Sequence, residues 1–394
     1  MTRHALKRLD SLIATDVDNG RLPGAVTLVW HRGRIVHHSA IGLRDPASPA
    51  PMAEDAIFRI YSMTKPLVSV ALMMLVEEGR LQLRDPLSQH LPEFAEPMLA
   101  VEGQGDDGNP KLERVPLDLA SAPTLHDLLR HTAGFTYGIF GQSALKSAYL
   151  AAGVERGNLA NDAFVKRLAT LPLAFPPGTV WEYGRATDVI GALIERVSGR
   201  SLGEFLRERI FAPLKMKDTG FQVAPGDDAR LAEPFATDPD SGEAVRLLDV
   251  GRPPVFESGG GGLVSTAADY LRFCRALLGG GEAKGRRLLS PHTVRLMTAN
   301  HLDADVLRVS RRPGATTGYV PGPGYGFGLG FAVRLADGGA PNPGHAGDYH
   351  WSGVGGTFFW IDPKEQLIAI WMMQAPGQRL HYRSLYKNLV YAAL

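Results

Sequence analysis

Apolar runs of the kind found in β-strands lie at the two ends of the chain. Residues 24–45 contain two such runs separated by Arg32-Gly33-Arg34, which predicts a hairpin. Three further runs near the C-terminus also predict strands, namely "GYGFGLGFAVRL", "GGTFFWIDP" and "QLIAIWMMQA". The amphipathic segments "MTRHALKRLDSLIATDV" and "LHYRSLYKNLVYAAL" predict a helix at each terminus. The two ends of the chain therefore predict a sheet and the helices that cover it.

The middle of the chain instead has the apolar period that is typical of amphipathic helices. This period predicts helices at 124–132, within 142–172, at 186–211 and at 266–280. Residues 101–123, which include "GQGDDGNP" and further prolines, predict an irregular loop.

Together these elements predict an α/β fold in which an antiparallel sheet is flanked by helices and carries an inserted, mainly helical domain. We expect residues 1–95 and 290–394 to form the α/β domain from both chain ends. We expect residues 96–289 to form the insertion, with the active site at the interface between the two domains.

Composition narrows the classes of function. The 394 residues carry a formal net charge of +1, so we expect binding neither to nucleic acid nor to a membrane. The single cysteine, Cys274, excludes an internal disulfide and a Cys-x-x-Cys metal site. The longest apolar run, residues 66–76, is about half of a membrane span, and no apolar signal-peptide core follows the basic N-terminal residues. These features favour a cytoplasmic protein.

The stretch "FRIYSMTKPLVSVALMMLVEEGRL" places a serine and a lysine, Ser62 and Lys65, at the start of an apolar helix that ends at Gly79. Pro66 fits the first turn of a helix, which puts Ser62 at the helix N-terminus. There its backbone N–H and the helix dipole favour an oxyanion. Residues three apart share a helix face, so the amine of Lys65 can reach the serine hydroxyl.

Apolar neighbours are expected to lower the pKa of Lys65 and so to provide a neutral amine base. A nucleophile, a base and an oxyanion donor in one helical turn are typical of acyl-transfer chemistry. The alternative interpretation is a capping serine beside a lysine whose amine reaches solvent. The same spacing recurs at Ser143–Lys146 and at Ser384–Lys387, which we interpret as surface pairs because both lie in amphipathic sequence.

Several segments, in the same order, resemble the serine β-lactamase and penicillin-binding-protein superfamily, and within it the class C β-lactamase-like group. The first is "YSMTKP", and the others are "TLHDLLRHTAGF", "PPGTVWEYGRATDVIGALIERVSGRSLGEFLRERIFAPLKMKDTGF", "SGGGGLVSTAADYLRF" and "GTFFWIDPKEQLIAIWM". The resemblance covers nearly the whole chain. It implies the β-lactamase/penicillin-binding-protein-like fold, with Ser62 as the nucleophile and Lys65 as its partner.

The second motif of the family is Tyr-x-Asn or Tyr-x-Ser, and this chain has Tyr183-Gly184-Arg185 in its place. The resemblance implies that Tyr183 completes a proton relay with the lysine, whereas the alternative is a core tyrosine after a turn. Arg185 departs from the family pattern and is a candidate substrate-binding residue. The missing amide counts against a β-lactam substrate.

The third motif, Lys-Thr-Gly in the family, is replaced by Trp351-Ser352-Gly353. Such variants resemble the family VIII carboxylesterases, which implies that Trp351 and Gly353 contact substrate and that the backbone N–H groups of Ser62 and Val354 form the oxyanion hole. A competing alignment places His345-Ala346-Gly347 at this motif. An indole supplies an apolar wall and one N–H donor instead of a cation, which favours an uncharged ester.

These motifs predict a carboxylesterase that hydrolyses small esters of short acyl chains through an acyl-enzyme, without a metal or a cofactor. The alternatives within the fold are a β-lactamase or D-Ala-D-Ala peptidase, and an acyltransferase in which an alcohol replaces water. A further alternative is a non-catalytic scaffold, against which intact Ser62, Lys65 and Tyr183 argue. The sequence predicts neither the natural ester nor the oligomeric state.

Overall fold

The computed structural model describes residues 3–104, 110–311 and 320–394. Its strands are β1 (Gly24–His31), β2 (Arg34–Asp45), β3 (Ala50–Pro51), β4 (Phe58–Arg59), β5 (Met98–Gln104), β6 (Pro110–Pro116), β7 (Val264–Ser265), β8 (Glu282–Ala283), β9 (Arg286–Arg287), β10 (Tyr325–Phe327), β11 (Ala332–Arg334), β12 (Tyr349–Ser352), β13 (Phe358–Asp362) and β14 (Leu367–Met373).

The α-helices connect and cover these strands. They are α1 (Arg3–Asp18), α2 (Thr64–Glu77), α3 (Leu87–His90), α4 (Leu125–Leu129), α5 (Ala144–Ala151), α6 (Asn161–Leu168), α7 (Ala186–Ser198), α8 (Leu202–Leu206), α9 (Ala212–Leu214), α10 (Ala267–Leu278), α11 (Pro291–Met297), α12 (Ala304–Ser310) and α13 (Arg379–Ala392). A π-helical turn, Arg207–Phe211, joins α8 to α9.

The central sheet has the strand order β10-β11-β12-β13-β14-β1-β2-β3, and each neighbouring pair is antiparallel. Strand β14 shows how the sheet is buried on both faces. Leu367, Ala369 and Trp371 pack against α1 and α13 on one face. Ile368 and Ile370 point to the other face, into the larger core that includes α2 and α10. A continuous apolar run is expected in a strand that is covered on both sides.

Most of the predicted elements are present. The hairpin predicted at 24–45 is formed by β1 and β2, and it turns at Arg32 and Gly33, both of which have positive φ. The terminal helices are α1 and α13, and the helices predicted in the middle of the chain correspond to α4 to α8 and α10. The predicted antiparallel sheet with flanking helices is therefore confirmed.

The irregular loop predicted at 101–123 is wrong for much of its length. Strands β5 and β6 pair there in antiparallel register, and residues 105–109 between them lie outside the described ranges. The prolines that suggested a loop, Pro110 and Pro116, occupy the two ends of β6, where a missing N–H costs little. The exposed strands also lack the apolar alternation that marks a half-buried strand.

The segment predicted as an insertion contributes to two packing layers. Helix α7 packs against α2 and α4. Helix α10 packs instead on β14 and β1 of the sheet. The domain boundaries at 95/96 and 289/290 stay a prediction.

Helix length also bears on the environment of the chain. The longest described helix, α1, has 16 residues, and the most apolar long helix, α2, has 14. Among the residues that the structure describes, no helix combines the length and the apolar character needed to cross a bilayer.

Candidate active site

Ser62 lies between β4 and α2, in a short 3-10 helix that spans Tyr61–Met63. Helix α2 begins at Thr64 and has Pro66 in its first turn, where the missing proline N–H has no helical partner to lose. The predicted position of Ser62 at the start of the helix is therefore confirmed. Here the amine of Lys65 and the serine hydroxyl lie on the same side of the first turn, with Nζ and Oγ 3.2 Å apart.

The residue before the serine has a strained backbone. Tyr61 has a φ of +43°, which is costly for a residue with a side chain and is held only where the surroundings determine it. Its hydroxyl accepts a hydrogen bond from the backbone N–H of Leu248 at 2.9 Å. Its ring lies against Gly355, where an added Cβ would come within 2.8 Å of a ring carbon. These contacts fix the turn that presents Ser62.

Lys65 is the centre of the hydrogen-bond network. Its side chain is buried, and Nζ donates to the hydroxyl oxygen of Ser62 at 3.2 Å, to that of Tyr137 at 3.1 Å and to the carbonyl oxygen of Gly260 at 2.6 Å. A lysine ammonium has three N–H donors, and this arrangement gives each donor one acceptor.

The predicted lowering of the Lys65 pKa is wrong. Burial by itself lowers the pKa of Lys65, but the Coulombic interactions with Tyr137, Tyr183 and Asp188 together outweigh burial and raise it above its ordinary value. An ammonium can donate all three of these hydrogen bonds, whereas a neutral amine would donate two and accept one from a hydroxyl group. The raised pKa favours the ammonium form of Lys65, which places positive charge next to Ser62.

Tyr137 is a site residue that the sequence did not identify. It lies 72 residues from Lys65 in the chain, and no spacing rule connects the two. Burial raises the pKa of Tyr137 to about 12, although the charge of Lys65 acts in the opposite direction. The phenol thus stays protonated near neutral pH. In the sequence, Tyr137 is marked only by its position two residues after the "HTAGF" segment that resembles the family.

Tyr183 lies beside the same ammonium. Its ring centre is 4.6 Å from Lys65 Nζ and 5.5 Å from the ring centre of Tyr137. Gly184 allows this position, because a Cβ there would lie 2.1 Å from the carbonyl oxygen of Phe135. The structure therefore brings together Ser62, Lys65 and Tyr183, the three residues that were predicted to be catalytic. Their roles in a reaction stay a prediction.

A buried carboxylate supports Lys65 from behind. Asp188 accepts hydrogen bonds from the backbone N–H of Gly260 at 2.8 Å and from the hydroxyl of Ser258 at 2.6 Å. The carbonyl of the same glycine accepts from Lys65. An added Cβ at Gly260 would lie 2.8 Å from an Asp188 oxygen, so only glycine fits. The glycine-rich segment "SGGGG" at 258–262 is therefore part of the wall of the candidate active site.

Arg185 lines the cavity, but its guanidinium is already paired. It forms ion pairs with Glu155 and, at 3.1 Å, with Asp188. The guanidinium also stacks over the ring of Tyr137, with its central carbon 4.8 Å from the ring centre. Because two carboxylates take up its charge, this arrangement favours support of Tyr137 over direct contact with an anionic substrate. Its predicted substrate-binding role stays a prediction.

The third motif lies at the end of β12. Trp351 is buried, and its ring centre is 5.5 Å from that of Tyr183. A Cβ added at Gly353 would lie 2.4 Å from the carbonyl oxygen of Ile60, so glycine lets the strand end approach the backbone that leads to Ser62. Val354 follows in a turn and lines the same cavity as Ser62, as the predicted oxyanion pair requires.

The competing alignment at His345 has a different location. His345 Nδ1 lies 2.7 Å from a carboxylate oxygen of Asp362, at the far end of β13. The residues that line the cavity around Ser62 include Trp351 and not His345. The structure therefore places Trp351 next to the Ser62–Lys65 pair.

A cavity of about 480 Å³ opens onto Ser62. Its wall is mainly apolar and aromatic and includes Ile139, Phe140, Phe221, Leu248, Pro254 and Phe256. Two arginines of α13, Arg379 and Arg383, also reach it. The sequence predicted that the cavity has no cation, because Trp351 replaces the lysine of the third motif. This prediction is wrong, because α13 supplies two arginines to the cavity wall.

The two other Ser-x-x-Lys pairs were predicted to be surface pairs, and this is wrong for their lysines. Lys146 and Lys387 are both about 97% buried, as only 3% of each residue is exposed. Lys387 Nζ lies 3.0 Å from Asp348 and donates to the Tyr325 hydroxyl at 2.9 Å. Ser143 instead caps α5 by accepting from the backbone N–H of Lys146 at 3.3 Å, and Lys146 Nζ donates to the Phe140 carbonyl, so these pairs do not share the geometry of Ser62 and Lys65.

Comparison with known proteins identifies the family and relatives of the same fold. The family model described as "Beta-lactamase" matches residues 9–392. Esterase EstB of Burkholderia gladioli is 33% identical over 90% of this chain and 86% of its own length. Lovastatin esterase of Penicillium rubens is 32% identical over 93% of this chain and 92% of its own length.

A solved structure described as "EstCE1, a hydrolase with promiscuous acyltransferase activity" superimposes on the chain with a TM-score of 0.79. The two are 27% identical, and the alignment covers 99% of this chain and 98% of EstCE1. The β-lactamase/penicillin-binding-protein-like fold that the sequence predicted is thus confirmed.

Proposed function

The chain belongs to the Beta-lactamase family, and we propose that it is a carboxylesterase of that family which hydrolyses small esters of short acyl chains. The observation that carries the proposal is the position of Lys65 Nζ, which lies 3.2 Å from the hydroxyl oxygen of Ser62 beside a mainly apolar cavity. Relatives named as esterases support hydrolysis of an ester by this fold.

In the proposed first step Ser62 Oγ attacks the ester carbonyl. The oxygen of that carbonyl becomes negatively charged and accepts hydrogen bonds from the backbone N–H groups of Ser62 and Val354. The alcohol then leaves and the acyl group stays on the serine. Water attacks this ester in a second step and releases the acid.

The proton of Ser62 passes through Tyr183. As the phenol oxygen takes the serine proton, the phenol gives its own proton to the oxygen of the leaving alcohol. Lys65 stays an ammonium, and its charge stabilises the negative charge that builds up on the serine and phenol oxygens. Tyr137, Gly260 and Asp188 hold the ammonium in place.

The cavity determines which esters fit. Its apolar wall stabilises an aliphatic acyl or alcohol group by burial, and its volume of about 480 Å³ admits a small molecule. Trp351 forms an apolar wall beside Tyr183. We also propose a cytoplasmic location, as the sequence predicts, which fractionation of cells would test.

Hydrolysis of p-nitrophenyl butyrate beside a chromogenic cephalosporin tests the proposal. The wild type is expected to hydrolyse the ester, and Ser62→Ala is expected to lose at least about 10³-fold in kcat. Ser384→Ala, which alters an exposed serine of another Ser-x-x-Lys pair, is the matched control and should keep wild-type kcat. Faster turnover of the cephalosporin than of the ester would instead identify a β-lactamase.

Acyl transfer to an alcohol is a second candidate. The observation that favours it is the apolar wall of the cavity, which can bind an acceptor alcohol in competition with water. The name of EstCE1 describes both activities in one protein of this fold. As the alcohol concentration rises, the fraction of acyl groups released as ester should then increase at the expense of the acid, while the rate of p-nitrophenol release stays constant.

A further inference from the structure

Arg383 of α13 contacts the peptide group that follows the third motif. Its Nη2 donates to the carbonyl oxygen of Gly353 at 2.6 Å. The backbone N–H of Gly356 donates to the same oxygen at 3.2 Å. Both acceptor positions of this carbonyl are therefore occupied, one of them by a cation.

The charge of Arg383 has no carboxylate partner among the described residues. Its Nε is buried and has no hydrogen-bond partner within the same ranges. Burial, with a further contribution from the charge of Arg379, lowers the pKa of Arg383 to about 9, so the guanidinium is still charged at neutral pH. A cation that is partly shielded from water is normally paired with a carboxylate, whereas Arg383 is paired with a peptide carbonyl.

The Gly353 carbonyl belongs to the same planar peptide unit as the backbone N–H of Val354, and in a trans peptide the two point in opposite directions. Donors at the carbonyl polarise the unit and make its N–H a stronger donor. A positive charge behind the peptide also stabilises negative charge in front of it. In the proposed function, this negative charge is the oxyanion at Ser62, which lies on the N–H side of the peptide.

We propose that Arg383 is a positioning residue for acyl transfer, which fixes and polarises the Gly353–Val354 peptide so that the Val354 N–H stabilises the oxyanion. The inference rests on the proposed function, because it needs a reaction with an oxyanion at Ser62. Arg383 should affect kcat, because the oxyanion whose negative charge it stabilises is present only after Ser62 has attacked.

Helix α13 does not depend on Arg383 for its position. The hydroxyl of Tyr382 donates to Asp16 at 2.9 Å. The hydroxyl of Tyr386 donates to the carbonyl oxygens of Leu28 and Ile370, each at 3.1 Å. Replacing Arg383 therefore leaves the anchors of the helix in place.

The test compares three Arg383 variants with Arg379→Met, using p-nitrophenyl butyrate and its anionic counterpart p-nitrophenyl hemiglutarate. Arg379 carries the same charge on the same helix, but it donates to the Pro376 carbonyl. R383M should lower kcat for the neutral ester about 10-fold to 100-fold with KM within about threefold, and R383K should restore part of the loss. R379M should lower kcat at least about fivefold less than R383M does.

Three results would overturn the inference. They are an unchanged kcat for the neutral ester in R383M, an equal loss of kcat in R379M, and an effect confined to KM for the hemiglutarate, which would make Arg383 an anion-binding residue. If R383M does not fold, R383Q is measured instead, because glutamine keeps an N–H donor without the charge. A lower kcat of R383Q at unchanged KM would support the inference. A wild-type kcat of R383Q would contradict it. Failure of the wild type to hydrolyse either ester would instead refute the proposed function.

Discussion

The Lys65 ammonium and the Tyr137 hydroxyl lie 3.1 Å apart in the buried centre of the site, although 72 residues separate them in the chain. Because the lysine also contacts Ser62 and Gly260, the phenol is one of three acceptors that fix its amine. The position of the positive charge next to the nucleophile therefore depends on a residue outside the recognised motifs.

Replacing Tyr137 with Phe should lower kcat about 10-fold to 100-fold, because Lys65 loses an acceptor and its amine is less well placed. Tyr149→Phe is the matched control, since it removes a buried hydroxyl that donates to the Pro172 carbonyl outside the site. Steady-state kinetics of ester hydrolysis and thermal unfolding of both variants check this. Equal kcat in Y137F and Y149F would contradict a role of Tyr137 in the site.

Replacing Gly353 with Ala should destabilise the fold by about 1–3 kcal/mol and lower kcat, because the new Cβ would clash with the Ile60 carbonyl oxygen. The clash shifts the end of β12 relative to the Ser62 turn. Gly338→Ala is the control, since an added Cβ there meets no atom within 4 Å. Urea denaturation and kcat measure the two effects, and wild-type values in G353A would show that the close approach has no consequence.

Lys387 and Lys65 share a Ser-x-x-Lys spacing but should respond to substitution in opposite ways. K387M should cost about 1–3 kcal/mol of stability, because Asp348 loses one of its two buried cations and keeps Arg334, and it should leave kcat within about threefold of wild type. K65M should lower kcat by at least about 10³-fold. Urea denaturation and ester kinetics separate the two. A catalytic defect in folded K387M at full stability would contradict this assignment.

Glu195 should make stability depend on pH. Burial, with a Coulombic contribution from Glu257, raises its pKa in the folded protein from 4.5 to about 7. The folded state then holds a proton that the unfolded state releases, so stability should decrease as pH rises from about 4.5 to 7. E195Q keeps the oxygen that accepts from Asn161 and Leu202, and it should raise Tm at pH 8 by about 2–4 °C.

The pH dependence of Tm provides the check for Glu195. Between pH 4.5 and 7 the wild-type Tm should fall more steeply than that of E195Q. Parallel curves for the two proteins would contradict a raised pKa.

The sequence predicted those site residues whose contacts are local. Ser62 and Lys65 are three residues apart on one helix, and the position of Pro66 located the helix start. The motif resemblance placed Tyr183 and Trp351 near them, and their rings lie 5.5 Å apart. The sheet and most helices followed from apolar periods in the same way.

Contacts between distant segments could not be predicted from the pattern. Asp188 accepts from the backbone N–H of Gly260, whose carbonyl accepts from Lys65 although 195 residues separate the glycine from the lysine. The pKa of Lys65 was predicted in the wrong direction, because burial was visible in the sequence whereas the opposing phenols and carboxylate were not. For the same reason Lys387 was predicted to face water, since nothing near it in the sequence identifies Asp348 as its partner.

The proposed mechanism requires that Ser62 carries an acyl group during ester hydrolysis. The most direct measurement is mass spectrometry of the protein quenched in acid during turnover of p-nitrophenyl butyrate, followed by peptide mapping. We expect one butyryl group on the peptide that contains Ser62, and none on that peptide in S62A. A butyryl group on another residue, or turnover of the ester by S62A at the wild-type rate, would contradict it.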